Sequence, residues 1–226
     1  MTLDEERALL FVPTGSATPD FFGGRRHGDN LYANSVVALD ARTGERRWHY
    51  QVWRHDIWDR DFPSPPTLVQ LERDGVVIDA VAVTTKSGHL WVFERDTGEP
   101  LYDVIEEETL PSTLPGEVPA PTQPVSAMAF TRQKFEITDR SLEATAHVEE
   151  VIKNFDLRPW APPTLDGTLM YPGYDGGAEW GGSAFDPQTN RLILNASEIG
   201  AIIRLHEIPV GFSNRGVYAE HCASCH

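Results

Sequence analysis

One short pattern, an acidic residue followed by x-x-Thr-Gly, recurs along this chain and constrains its fold more than any other feature. Ala38-Leu39-Asp40-Ala41-Arg42-Thr43-Gly44-Glu45-Arg46-Arg47-Trp48 carries one copy. Val92-Phe93-Glu94-Arg95-Asp96-Thr97-Gly98-Glu99-Pro100-Leu101-Tyr102 carries a second. Ala184-Phe185-Asp186-Pro187-Gln188-Thr189-Asn190-Arg191-Leu192 carries a third, with Asn where the others have Gly. Each reads as a strand, a tight turn and a returning strand. Gly or Asn stands where the turn needs a positive φ, which those residues tolerate. The acidic residue ahead of it can cap the turn through its side chain. Trp48 opens a returning strand, where a large flat ring can pack between neighbouring sheets. A single hairpin of this kind is common. Three copies, with Thr43 and Thr97 standing 54 residues apart, predict a propeller-type array.

Short apolar runs bounded by Gly, Pro, Asp or Asn support an all-β class. Leu9–Val12, Ser35–Leu39, Arg47–Val52, Val76–Thr84 and His89–Phe93 are the clearest strands, with strand character returning at Thr168–Tyr171. Residues 103–165 break the pattern. Pro111, Pro115, Pro119, Pro121 and Pro124 mark an irregular acidic loop. A short amphipathic helix is expected over Ser141–Asn154, with Leu142, Val148, Val151 and Ile152 as its apolar set and Asp139 or Ser141 as its cap. The whole stretch reads as an insertion on the propeller surface, of the kind that often covers a functional site.

Charge and hydropathy narrow the class of partner. With 226 residues, 40% of them hydrophobic, the chain can bury a substantial core. No run approaches the roughly 18 apolar residues of a membrane span. A formal net charge of −15 argues against a nucleic-acid partner. The opening residues lack a basic region followed by an apolar one, so no signal peptide is expected. The far end stops on Cys222-Ala223-Ser224-Cys225-His226. That spacing is the c-type haem attachment pattern, in which two thiols form thioethers and the adjacent His supplies an axial nitrogen to iron. A redox disulfide and half of a zinc site are the competing readings. A disulfide does not need the His, and zinc needs further ligands. The expected organisation is a partial propeller over 1–210 and the truncated start of a cytochrome c domain over 211–226, the chain being cut at both ends from something longer.

Three more groupings could carry chemistry. His55-Asp56-Ile57-Trp58-Asp59-Arg60-Asp61-Phe62-Pro63 sets three acids and a His between aromatics. Its bland reading is a solvated loop anchored by Trp58; its functional reading places a base, Asp59, in a partly dry setting. Lys86, in Thr84-Thr85-Lys86-Ser87-Gly88, follows an apolar strand. Lys at a strand end is usually solvated, but it can also hold an electron-rich oxygen as a point charge. Tyr171-Pro172-Gly173-Tyr174-Asp175-Gly176-Gly177-Ala178-Glu179-Trp180-Gly181-Gly182 is a mobile loop or a close-approach surface for a ligand, and its aromatics favour the second.

Together these stretches resemble the quinoprotein dehydrogenases dependent on pyrroloquinoline quinone (PQQ), in their glucose dehydrogenase-like branch. The matching stretches are Pro13–Asp20, the Trp48 repeat, His55–Asp59, Thr85–Gly88, Pro162–Gly167 and Tyr171–Gly182, in order along most of 9–205. Asp59 and Lys86 also match that family's spacing of a catalytic Asp and a quinone-contacting Lys. The resemblance implies an eight-bladed propeller with tryptophan-docking repeats, PQQ on its axis and a divalent cation, commonly Ca²⁺. It implies Asp59 as general base, Lys86 at the quinone oxygens and Glu179-Trp180 at the pocket wall, where related alcohol dehydrogenases often have Asn-Trp. Thr18 falls in the PQQ region, near where those relatives place a metal-binding Asn. Only three repeats are recognisable here, where a closed propeller needs about eight.

The implied function is oxidation of a CH–OH group of a sugar or alcohol, with electrons passing through a c-type haem to a cytochrome or quinone acceptor. A non-catalytic PQQ-like-repeat scaffold is the alternative, and a bare electron-transfer module a third. A scaffold has no use for Asp59, Lys86 or the haem motif. Haem attachment to Cys-x-x-Cys-His takes place outside the bacterial cytoplasm, so a periplasmic or exported protein is expected.

Overall fold

The structure is a computed structural model that describes residues 1–208 and 216–218. The haem-motif residues Cys222, Cys225 and His226, and the cytochrome start expected over 211–226 apart from 216–218, lie outside the described residues. Four strands, β1 (Thr2–Asp4), β2 (Leu9–Pro13), β3 (Ser35–Asp40) and β4 (Arg46–Gln51), form one antiparallel sheet in chain order. Three more, β5 (Thr67–Arg73), β6 (Val76–Thr84) and β7 (Leu90–Glu94), form a second. A bridge from Phe93 to Pro100 begins a fourth strand on its edge. Such four-stranded up-and-down sheets are the blades of a propeller.

The repeat explains how the two sheets join. Trp48 on β4 lies between Phe11 of its own sheet and Phe93 of the next, with ring centroids 5.7 and 6.0 Å away. Its indole N–H donates to the Arg95 carbonyl at 3.0 Å. Gly98, in the second repeat, lies under the same ring. A Cβ added there would stand 2.5 Å from the indole. Gly98 is therefore held to glycine by contact as well as by its φ of +76°. The turn caps also form: Asp40 accepts from the Arg42 and Thr43 N–H groups, Glu94 from Thr97 and Asp186 from Gln188. Leu9, Val36, Ala38, Val81, Val83 and Trp91 complete the core between the sheets.

The third repeat forms the hairpin of β11 (Ser183–Asp186) and β12 (Arg191–Leu194), with Asn190 at φ +51°. Two sequence expectations need correction. Residues 103–165 are not all irregular loop, because β8 (Val104–Glu108) pairs with β9 (Thr122–Ser126). Pro124 sits on β9 opposite Glu106; a two-stranded ladder has only edges, where a missing N–H is tolerated. The helix α1 (Leu142–Ile152) forms, and the Ser141 hydroxyl accepts from Ala144 N–H at 3.1 Å. Its expected apolar face does not pack, however. Ile152 alone of that set is buried, and Leu142 is 91% exposed. β10 (Thr168–Met170) pairs with β13 (Ala201–Ile203) beyond it. Among the described residues no helix is long and apolar enough to cross a membrane.

Candidate active site

Residues 52–62 have no regular strand or helix beyond β4, yet most are buried, including Val52, Trp53, His55, Asp56, Ile57, Trp58, Arg60 and Phe62. The solvated-loop reading of this segment is thereby removed. A buried irregular backbone must find partners for its polar groups. Asp56 supplies them: its carboxylate accepts from the Trp58 and Arg60 N–H groups at 2.9 and 2.6 Å. It also accepts from Asn34 Nδ2 at 2.7 Å and the Ser16 hydroxyl at 2.5 Å, which ties in the preceding loop. Trp58 anchors the other side, donating to the Ala161 carbonyl at 3.0 Å and stacking edge-on against Trp53.

This scaffold presents Asp59, at φ +57°, to Lys86 on the turn after β6. Lys86 Nζ lies 2.8 Å from Asp59 Oδ2 and 3.1 Å from Asp61 Oδ1. All three side chains keep a small exposed fraction, 14% for Lys86 and 19% for each acid, so the cluster opens to the surface. Burial alone would lower the Lys86 pKa, but the hydrogen bond to Asp59 and the charges of Asp61 and Asp59 hold it above the usual lysine value. Burial pushes the Asp61 carboxyl up to about 6; Lys86 pulls it down and the Asp59 charge pushes it further up.

Arg60 fixes the floor. It is buried, and its guanidinium donates to the carbonyls of Pro172 at 2.6 Å and of Gly173 and Lys86 at 3.2 Å each. Burial draws its pKa down to about 10, so it stays charged at neutral pH. Gly177 N–H donates to the Lys86 carbonyl at 2.7 Å and Ala178 N–H to that of Thr85 at 3.3 Å. Gly176, at φ +82°, lies against the lysine stem: a Cβ there would come within 2.6 Å of Lys86 Cγ. The glycine run is thus a pinned, close-approach surface.

The remaining candidates divide. Glu179 is half-buried and Trp180 is 83% exposed, two and three residues beyond the pinned Gly177, so their loop is brought to the cluster while the ring stays uncovered. Thr18 is exposed and makes no side-chain hydrogen bond among the described residues; Ser16 is the residue of its loop that engages the site, through Asp56. Residue reading missed Asp61 and Arg60 as partners of Lys86, and it missed Glu117. Glu117 Oε1 lies 2.6 Å from His55 Nε2, with both side chains 1% exposed, and His55 Nδ1 contacts the Gly28 carbonyl at 2.8 Å. Glu117 also accepts from the Gly23 N–H. The hydrogen bond that His55 donates to Glu117 raises the His55 pKa despite burial.

Blades locked by a tryptophan, with an acid–lysine cluster at the strand ends, define a β-propeller that carries a charged site. The chain belongs to the family described as "PQQ: Glucose/ethanol/alcohol dehydrogenase, beta-propeller domain", whose model matches residues 1–217. It is 35% identical to a quinoprotein glucose dehydrogenase of Gluconobacter oxydans (strain 621H), over 93% of this chain and 27% of that one. It is 34% identical to a glycerol dehydrogenase large subunit of Gluconobacter thailandicus, over 86% of this chain and 28% of that one. The chain thus spans about a quarter of the length of the curated relatives it matches. Among solved structures, a quinohemoprotein alcohol dehydrogenase of Pseudomonas putida HK5 shares the fold, with a TM-score of 0.60 and 23% identity over 92% of this chain and 26% of that one.

Proposed function

We propose that these residues are the cofactor-facing part of a longer PQQ-dependent dehydrogenase that oxidises a CH–OH group of a sugar or alcohol. The observation that carries the reading is the 2.8 Å contact between Lys86 Nζ and Asp59 Oδ2, made across 27 residues of sequence. The groups present suit an anionic planar quinone: an ammonium group with unused N–H capacity, held by a glycine that leaves room for its stem, and an uncovered indole. The divalent cation, commonly Ca²⁺, belongs to the same reading; among the described residues no three His, Cys, Asp or Glu side chains converge to hold it, and no step is assigned to it.

PQQ, when bound, supplies the electron-accepting carbonyl. Asp59 takes the proton of the substrate hydroxyl, which makes the carbinol C–H a better hydride donor. Lys86 donates a hydrogen bond to an electron-rich oxygen and offsets negative charge that develops there. Arg60 and the Gly176–Gly177 run hold the Lys86 backbone in register with Asp59. Thr18 is retained only as a neighbour of the cofactor region, and Glu179 and Trp180 as its wall. For electron exit, Cys222 and Cys225 would carry haem c, with His226 as axial ligand, in a cytochrome domain that starts over 211–226. A cytochrome or quinone would be the final acceptor, and the protein would be periplasmic or exported. The spacing of the Cys-x-x-Cys-His motif supports this part of the reading.

The test is turnover of the PQQ-reconstituted longer protein. Asp59→Asn is expected to lower kcat by about 10²-fold or more. Unchanged turnover would remove Asp59 from the role of base.

A further inference from the structure

We propose that Asp61 is a positioning residue that aims Lys86: its carboxylate holds the ammonium by an ion pair beside the Asp59 hydrogen bond and leaves N–H capacity for the occupant of the site. For the identity of that occupant the inference rests on the reading above. A lysine ammonium has three N–H donors. One reaches Asp59 Oδ2 at 2.8 Å as a hydrogen bond; Asp61 Oδ1 lies 3.1 Å from Nζ as an ion pair, outside hydrogen-bond geometry. Among the described residues Nζ has no further acceptor. The two residues are also joined through their backbones, Lys86 N–H donating to the Asp61 carbonyl at 3.2 Å. Gly176 confines the stem, since a Cβ there would lie 2.6 Å from Lys86 Cγ and 2.8 Å from its Cβ. An ammonium fixed at its stem, hydrogen-bonded to one carboxylate and ion-paired with the other has little rotational freedom left to lose on binding.

The charged groups that face Asp61 are Lys86, Asp59 and Asp56. Burial pushes its carboxyl up to about 6, so it gains its negative charge close to neutral pH. That charge in turn stabilises the Lys86 ammonium and lowers the reactivity of its amine.

Competitive acetylation of the PQQ-free longer protein, read by mass spectrometry, tests this without catalysis. Exposed Lys134 is the internal reference. Asp61→Asn is expected to raise Lys86 labelling relative to Lys134 by about three- to tenfold at pH 8, the loss of half to one pKa unit. A ratio within twofold of the unaltered protein would overturn the proposal. If the variant does not fold, the unaltered protein still decides. Its Lys86-to-Lys134 ratio is expected to fall as pH rises through about 6, and a flat ratio overturns the proposal. The second readout is PQQ affinity by fluorescence quenching. Removing a negative charge beside an anionic quinone would by Coulomb's law tighten binding. Lost positioning instead weakens it, by an expected fivefold or about 1 kcal/mol; equal or tighter binding would overturn the aiming role. Failure of the unaltered protein to bind PQQ would sink the cofactor reading and leave the labelling result standing, so the two failures are distinguishable.

Discussion

His55 and Glu117 show how a single buried pair can set the behaviour of a whole segment. The pair lies 62 residues apart in sequence and brings the proline-rich stretch against the loop that feeds the site. Their titration gives a pH signature. His55 has its folded pKa raised above 6.5, so its contribution is complete below that value and is lost as pH rises through the folded pKa. Glu117 has its folded pKa lowered below 4.5: burial opposes this, but the His55 hydrogen bond and the Gly23 N–H outweigh it. Its contribution is complete above 4.5 and is lost as pH falls through the folded pKa. The pair therefore stabilises most between about 4.5 and 6.5. The urea midpoint of the longer protein should decline as pH rises beyond that window, and His55→Gln should remove the decline. An equal slope in both proteins would show that His55 is not the titrating group. At this scale the sequence was only partly legible. Asp59 and Lys86 could be matched by spacing to a known family. Asp61, Arg60 and Glu117 could not, because nothing in their local sequence says that a polar side chain will be buried, or beside what.

Strands and turns were easier to read, since both rest on local chemistry. Val76–Thr84 was legible to the residue because a long apolar run ends at a Gly-containing turn. β5 was not among the expected strands; its Thr67–Arg73 run mixes polar and apolar residues, and Val69 is its single buried side chain. β9 was obscured by Pro124, whose cost vanishes on a two-stranded ladder, and its partner β8 by the acidic run Glu106–Glu108. The apolar set of α1 misled because periodicity states which residues could be buried, not whether a neighbour is there to bury them. The repeat makes a sharper prediction. Gly44 and Gly98 have the same φ, +76°, but Gly44 has open space around it while Gly98 meets the Trp48 ring. Gly44→Ala should cost about 1 kcal/mol from backbone strain alone. Gly98→Ala should cost at least about 2 kcal/mol more, through overpacking against the indole. Trp48→Ala should cost about 3–5 kcal/mol. Equal losses for the two glycine variants in urea denaturation would contradict the docking of Trp48 on Gly98.

For the molecule as a whole, the two blades locked through Trp48 and the family match over 1–217 agree on a propeller domain. Propeller blades bury their faces against neighbours. In these residues Trp180, Ile199, Ile193, Val76 and Val77 stay largely uncovered. The isolated 226-residue chain should accordingly bind PQQ no tighter than about 1 μM; a clearly submicromolar Kd would mean that this segment holds the cofactor unaided. The central claim is narrower: Asp59 and Lys86 converge on one bound quinone. Fluorescence-quenching titration of the longer protein with PQQ tests it most directly, comparing the unaltered protein with Lys86→Gln. The expected result is a Kd raised at least tenfold, about 1.4 kcal/mol, in the variant. An unchanged Kd would contradict the claim.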